Sequence, residues 1–194
     1  MAFGAGCLAR SRYERDCLVT EEYRIASEKI HGQGKTIVFL TDLHNKEFGE
    51  ENSRLLETVR KVKPDAVLFG GDGMVAKRGN SDVRIPLALL TELAKEFPVY
   101  CGNGNHECRM VWKSDIYGAA YENYRAALEN AGIRYLANGS ADLDGEIRIY
   151  GLDLPKSAYL PRSGQIPENL LKDALGEPDP GRFNLLLAHS PLFF

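Results

Sequence analysis

The sequence predicts an α/β fold in which short buried strands alternate with helices, and two observations support this interpretation. Runs of β-branched, aliphatic and aromatic residues recur at residues 36–41, 66–69 and 99–101, as expected of strands buried on both faces. Between these runs lie segments whose apolar residues have the spacing of amphipathic helices. This alternation is typical of a parallel sheet with helices on its faces.

A lead-in segment is expected before the first buried strand. Residues 1–17 have mixed polarity and no clear period, so we expect residues 18–194 to form a single domain. At residues 18–27 apolar and polar positions alternate, which predicts a half-exposed strand. The first helix is expected at residues 50–62, because Pro64 cannot continue it.

Two further helices are expected before residue 133. Residues 85–97 have an amphipathic pattern, and Pro86 suits the first turn of a helix. Residues 115–131 predict one long helix that ends at Gly132, since glycine is favoured just after a helix C-terminus.

The strands that follow are more closely spaced, which predicts a second and more mixed sheet. They are expected at residues 133–136, 147–150 and 184–188. Residues 139–145 are expected to form a hairpin-like connection between the first two, and a short helix is expected at residues 168–175.

Composition excludes several classes of protein. A chain of 194 residues with 44% hydrophobic and 26% charged residues is typical of one soluble globular domain. The net charge of −3 argues against an extended nucleic-acid-binding surface. No apolar run reaches the ~20 residues of a membrane-spanning helix, and we recognise no signal peptide, so a cytoplasmic location is expected. The four cysteines form no C-x-x-C pair and are expected to be reduced thiols.

Polar side chains follow four of the predicted core strands, at the point where each strand ends. These residues are Asp42 and His44, Asp72, Asn105 with His106, and His189. The segment at residues 101–108 reads CGNGNHEC and is expected to be a polar turn from which Asn105, His106 and Glu107 project, since they gain nothing from burial. Because the carboxyl ends of strands in an α/β sheet form binding sites, these side chains are candidates for one site.

The residue types and their spacing suit metal ligands. Asp42 and His44 lie two residues apart, so their side chains point to the same side of an extended segment. Asp72 lies between glycines, and a carboxylate there can bridge two ions because it has two oxygens and a negative charge. Asn105 offers an amide oxygen and His189 an imidazole nitrogen.

Each of these residues also has a purely structural interpretation. Asp42, Asp72 and Asn105 are residue types that cap helices, and an isolated histidine is more often hydrogen-bonded in a turn than bound to a metal. A simple α/β ligand-binding domain without metal would account for them one at a time. Their joint occurrence at successive strand ends favours a metal site.

The motifs resemble those of the calcineurin-like metallophosphoesterase superfamily, which run D-x-H, G-D, G-N-H-E/D and H. Here they read Asp42-Leu43-His44, Gly71-Asp72, Gly104-Asn105-His106-Glu107 and His189. Their order and strand contexts match from about residue 36 to the end of the chain. The D-L-H and H-S-P forms are most similar to those of small bacterial phosphohydrolases.

The resemblance implies a four-layer α-β-β-α sandwich of two mixed sheets flanked by helices, with two divalent metal ions. Asp42, His44 and Asp72 would bind the first ion, and Asp72, Asn105 and His189 the second. Imidazole and carboxylate ligands fit Mn²⁺, Fe²⁺/Fe³⁺ or Zn²⁺ equally. His106 would meet the phosphate or the leaving oxygen as a general acid or electrostatic stabiliser.

The chain departs from the family at one motif, because no histidine follows His189 and the final G-H-x-H is missing. The fold is therefore expected to be incomplete at the C-terminus. Water, a neighbouring chain or a carboxylate such as Asp153 would have to replace the missing ligands.

The function expected from the sequence is metal-dependent hydrolysis of a small phosphomonoester or phosphodiester. Arg109 and Lys113 are candidates to steady its phosphate, although either could be an ordinary solvated cation. The alternative is a non-catalytic or impaired fragment, or an interaction module, of the same fold.

Overall fold

Two β-sheets lie at the centre of the computed structural model, which describes residues 10, 13, 14, 16–159 and 167–190. The first sheet is parallel throughout these residues, and its strands in order are β1 (Ile37–Leu40), β2 (Ala66–Phe69), β3 (Val99–Cys101) and β4 (Arg134–Tyr135). The second is mixed, because its central strand pairs antiparallel with one neighbour and parallel with the other. Its strands in order are β5 (Gly139–Asp142), β6 (Ile147–Leu152) and β7 (Phe183–Ala188).

Helices connect the parallel strands, as the alternating pattern predicted. A 3₁₀ turn (Glu50–Asn52) precedes the first helix, and the helices are α1 (Ser53–Val62), α2 (Arg84–Ala94), α3 (Asn105–Trp112), α4 (Ser114–Tyr117), α5 (Ala120–Asn130) and α6 (Leu170–Leu175). Among the described residues, no helix is both long and apolar enough to pass through a bilayer. Cys17, Cys101 and Cys108 are free thiols.

The period of two in β2 creates the layered architecture. Val67 and Phe69 point to one face of the first sheet and pack with the buried side chains of α1, α2 and α5. Ala66 and Leu68 point to the opposite face and pack with the second sheet, including Ile149. Helix α6 contacts β5 and β6. The two sheets flanked by helices agree with the expected sandwich.

Two predicted strands differ from the structure in ways that burial explains. Residues 18–27 form no strand, and their apolar side chains Tyr23 and Ile25 are exposed. The alternating pattern was therefore not sufficient to form a strand, because no neighbouring strand pairs with this segment in the described structure. Strand β1 forms as predicted but is not buried on both faces, since Phe39 is 56% exposed. Strand β1 also lies at the edge of its sheet among the described strands.

One connecting segment and one helix also differ from the prediction. The expected hairpin loop at residues 139–145 contains strand β5, which pairs with β6, whereas β4 belongs to the other sheet. The expected long helix at residues 115–131 is interrupted at Gly118, whose φ of 57° a helix does not accommodate. Residues 1–9, which form most of the expected lead-in segment, lie outside the described residues.

Candidate metal centre

The structure brings the six predicted site residues together at one edge of the two sheets. Asp42 and His44 follow β1, Asp72 follows β2, and Asn105 and His106 begin α3 directly after the β3 loop. His189 follows β7, which belongs to the second sheet. The site is therefore built where the carboxyl ends of strands from both sheets converge.

The loops after β1 and β2 are fixed to each other by backbone hydrogen bonds. Asp42 N donates to Gly71 O at 3.0 Å, and His44 N donates to Asp72 O at 2.9 Å. Asp42, His44 and Asp72 all have positive φ values of 50–54°. This conformation is unfavourable for residues with a Cβ and persists where surrounding contacts impose it, commonly at functional sites.

Gly71 and Gly104 allow the loops after β2 and β3 to touch. Gly71 has a φ of 91°, and a Cβ there would overlap the backbone nitrogen of Gly104. A Cβ on Gly104 would in turn overlap the carboxylate of Asp72. The motif glycines are therefore required by a backbone-to-backbone contact beneath the site.

Asp72 lies at the centre of the cluster and is 2% exposed. Its Oδ1 accepts a hydrogen bond from His106 N at 2.8 Å. Its Oδ2 lies 3.2 Å from His44 Nε2 and 3.4 Å from His189 Nε2. Burial alone would raise the pKa of Asp72, but the hydrogen bonds from His189 and from His106 N outweigh it and lower the pKa.

Two groups of possible ligands share Asp72. One contains His44, Asp72 and His106, and the other contains Asp42, Asp72 and His189; within each, the ligand atoms lie within 4.8 Å of one another. A shared, buried carboxylate is the arrangement that suits a bridging ligand. The two groups divide the residues differently from the ligand sets implied by the resemblance.

The Asn105 side chain lies against the same carboxylate. Its amide nitrogen donates to Asp72 Oδ2 at 3.1 Å, and its amide oxygen accepts from His106 N at 3.1 Å. Carboxylates, imidazoles and one amide oxygen form a donor set that fits a divalent metal.

His106 lies beside the cluster and is 9% exposed. Ala76 N donates to His106 Nδ1 at 3.1 Å, which leaves Nε2 to carry the proton of the neutral ring. Burial lowers the pKa of His106, and the nearby Arg109 charge lowers it further, while Asp72 opposes the shift. His44 packs edge-on against this ring, with the ring centres 5.2 Å apart.

The surroundings of His189 raise its pKa, whereas those of His106 lower the pKa of that ring. Burial alone would lower its pKa, but hydrogen bonds to Asp72 and to the Gly70 carbonyl raise the pKa to about 9. Its Nδ1 donates to Gly70 O at 2.9 Å, so Nε2 is the atom directed at Asp72. His189, which follows the last strand of the second sheet, thereby directs its imidazole toward the loop after β2 of the first sheet.

Glu107 does not project from a polar turn as expected. Residues from Asn105 onward form helix α3, and Glu107 is 1% exposed. Its carboxylate accepts hydrogen bonds from Asp72 N at 2.8 Å, Gly73 N at 3.0 Å and Gly104 N at 3.0 Å. Burial raises the pKa of Glu107 to about 6, and the Asp72 charge adds to this shift. A glutamate three residues after an N-cap is the sequence signal that could have revealed this role.

Asn103 and Asp153 belong to a separate buried network. Asn103 Nδ2 donates to Tyr121 OH at 3.0 Å and to Asp153 Oδ2 at 2.8 Å, and its Oδ1 accepts from Tyr135. Burial raises the pKa of Asp153. Asp153 is in neither ligand group, so the described structure gives no support to its replacing a missing ligand. Sequence reasoning did not identify Asn103.

The two predicted phosphate-binding cations lie on one face of α3. Arg109 Nη1 donates to Ala76 O at 2.8 Å and lies 3.3 Å from His106 Nδ1. Lys113 is exposed at the end of the same helix. Both residues therefore lie on the His106 side of the cluster.

Comparison with protein families identifies the family of this chain. A family model described as calcineurin-like phosphoesterase matches residues 35–193, which include every candidate ligand. A search of curated proteins finds no match.

Proposed function

Because the chain belongs to the calcineurin-like phosphoesterase family, we propose that it hydrolyses small phosphoric esters with a binuclear metal centre built around Asp72. The observation that carries this proposal is that the buried Asp72 carboxylate lies beside one histidine of each proposed ligand set, with Oδ2 at 3.2 Å from His44 Nε2 and 3.4 Å from His189 Nε2. Asp72 is ionised at neutral pH because its pKa is lowered. A carboxylate shared in this way can offset the charge of two cations.

The proposed ligands are those of the family motifs. Asp42, His44 and Asp72 would hold one ion, and Asp72, Asn105 and His189 the other, with Mn²⁺, Fe²⁺/Fe³⁺ and Zn²⁺ all compatible. When bound, such ions polarise the phosphoryl group and activate water. Hydrogen bonds within the protein orient these side chains. Gly70 O accepts a hydrogen bond from His189, and the Glu107 carboxylate accepts three from the backbone N–H groups of the loops that carry the ligands.

His106 is proposed to assist departure of the leaving group. Its neutral ring carries a proton on Nε2, because Nδ1 accepts a hydrogen bond from Ala76 N. The lowered pKa keeps the ring neutral at physiological pH, so its Nε2–H acts as a hydrogen-bond donor that stabilises the negative charge developing on the leaving oxygen. Arg109 and Lys113, which lie on the same side, are proposed to bind the substrate's negative charge.

A second candidate function is that of a non-catalytic or impaired member of the family. The single domain over residues 18–194 and the cytoplasmic location stay predictions.

Hydrolysis of bis-p-nitrophenyl phosphate and p-nitrophenyl phosphate, with Mn²⁺ and again with EDTA, tests the proposal. We expect turnover with Mn²⁺ that EDTA abolishes, and a loss of at least about 100-fold in kcat for Asp72→Asn and His106→Ala. Asp173→Asn and His31→Ala are matched controls, because both residues are exposed and away from the cluster. Turnover that survives in Asp72→Asn would refute the proposal, and a folded, metal-loaded protein without turnover would favour the second candidate.

A further inference from the structure

A pocket of about 470 Å³ lies beside the candidate metal centre and is lined by four cationic side chains. These are Lys77, Arg78, Arg109 and Lys113. Among the described residues no carboxylate lines this pocket, although the chain as a whole has a net charge of −3. The concentration of positive charge is therefore local and is not a consequence of a basic composition.

One wall of the pocket is a tight turn. Lys77 N donates to Asn80 O at 2.9 Å and Asn80 N donates to Lys77 O at 3.0 Å, which closes a two-residue turn. Arg78 and Gly79 have φ values of 53° and 81°, the sign pattern of a type I′ turn. An arginine at the first of these positions is conformationally unfavourable, since glycine, asparagine and aspartate are the usual residues there.

The other wall is helix α3. Arg109 and Lys113 lie four residues apart and so share a face of the helix. Two positive charges at this spacing repel each other. Arg109 is fixed by its hydrogen bond to Ala76 O at 2.8 Å. Ala76 N also donates to His106 Nδ1, and Lys77 follows Ala76 directly, so the pocket begins one residue after the backbone group that contacts the His106 ring.

We propose that this pocket binds a second phosphate group of the substrate, so that the preferred substrates carry two phosphates. The inference rests on the proposed function: one phosphate would lie at the metal centre, and the second would belong to the leaving group beyond His106. Guanidinium groups bind phosphate oxygens in pairs and ammonium groups bind them as point charges. The volume is within the range of small-ligand pockets and exceeds the need of a single phosphate.

The first test measures anion binding without metal. Calorimetric titration of the EDTA-treated protein with inorganic phosphate should show binding that weakens at least 10-fold in Lys77→Gln/Arg78→Gln. Lys29→Gln/Lys61→Gln is the control, because it removes the same charge from exposed positions outside the pocket and should retain the affinity within twofold. Equal affinities in all three proteins would overturn the inference.

The second test asks whether the bound anion is part of a substrate. The Mn²⁺-loaded protein should bind an alkanediol bisphosphate of optimal length at least 10-fold more tightly than the matching monophosphate. This preference should disappear in Lys77→Gln/Arg78→Gln and persist in the control. A wild-type preference below twofold at every chain length from two to six carbons would overturn the inference, even if free phosphate binds.

The two proposals can fail separately. A bisphosphate preference without hydrolysis of any ester would leave the phosphate pocket supported and refute the hydrolase. Hydrolysis without the preference would support the hydrolase and refute the pocket.

Discussion

The backbone N–H of Asp72 donates a 2.8 Å hydrogen bond to the buried carboxylate of Glu107. The side chain of Asp72 in turn accepts a 2.8 Å hydrogen bond from His106 N. The loop after β2 and the start of α3 are therefore joined by two hydrogen bonds of opposite direction. One fixes the backbone of Asp72, the candidate bridging ligand, and the other fixes its carboxylate.

Replacing Glu107 with glutamine should destabilise the protein although the shape of the side chain is kept. A glutamine has one acceptor oxygen where the carboxylate uses two, and its amide would meet a backbone donor at 2.8–3.0 Å. We expect a loss of about 1–3 kcal/mol in the free energy of unfolding, measured with urea.

Glu57→Gln is the matched control for that variant. Glu57 is exposed and pairs with Lys61 across one helical turn, so its replacement should leave the free energy of unfolding nearly unchanged. Equal losses in the two variants would mean that the buried carboxylate does not fix the loops.

Gly71→Ala should disrupt the contact between the loops after β2 and β3. The added Cβ would overlap the backbone nitrogen of Gly104, and the positive φ is unfavourable as well. Gly176→Ala isolates the second effect, since Gly176 has a φ of 74° but nothing within 4 Å of a Cβ.

The difference between these two variants measures the steric contact alone. We expect Gly176→Ala to cost about 1 kcal/mol and Gly71→Ala at least about 2 kcal/mol more, with loss of Mn²⁺ binding. If thermal unfolding of the two variants coincided, the backbone contact would have no structural importance.

Metal binding should raise the stability of the folded protein. At a free Mn²⁺ concentration 100 times the dissociation constant, the free energy of unfolding should increase by about 2.7 kcal/mol for one site, and EDTA should reverse it. Asp72→Asn should abolish the increase, because Asp72 belongs to both ligand groups. Asp173→Asn should retain it, and a retained increase in Asp72→Asn would place the metal elsewhere.

Asp82 should contribute a small, pH-dependent stabilisation. The hydrogen bond from Arg84 lowers the pKa of Asp82 from 3.8 to about 2. Because the folded pKa is below the unfolded one, this stability is present above about pH 4 and is lost as the pH falls toward 2. The pair is solvated, so we expect less than about 1 kcal/mol at pH 7.

Asp82→Asn is the variant that measures this contribution. Its urea unfolding curve should differ from the parent at pH 6 and converge with it near pH 2. A difference that stays constant between these pH values would show that ionisation of Asp82 is not the cause.

The sequence alone predicted the three core strands at residues 36–41, 66–69 and 99–101 and the helices between them. Local apolar patterns determine these elements, since a continuous apolar run or a helical stripe has few alternatives once buried. The alternation at residues 18–27 failed because a half-exposed strand needs a pairing partner, which the pattern itself does not reveal.

The sequence also predicted that the six candidate site residues lie close together, because each is in a segment after a core strand and such strand ends meet at one edge of an α/β structure. Only the tertiary structure decided that Glu107 lies beneath the site, that two ligand groups share Asp72, and that Lys77 and Arg78 face Arg109 and Lys113. The physical reason is that these relationships join residues far apart in the chain, and the spacing of the loops after β2 and β3 is set by the contact of Gly71 with Gly104. Residue type determines which chemistry is available, whereas packing of the loops determines which groups meet.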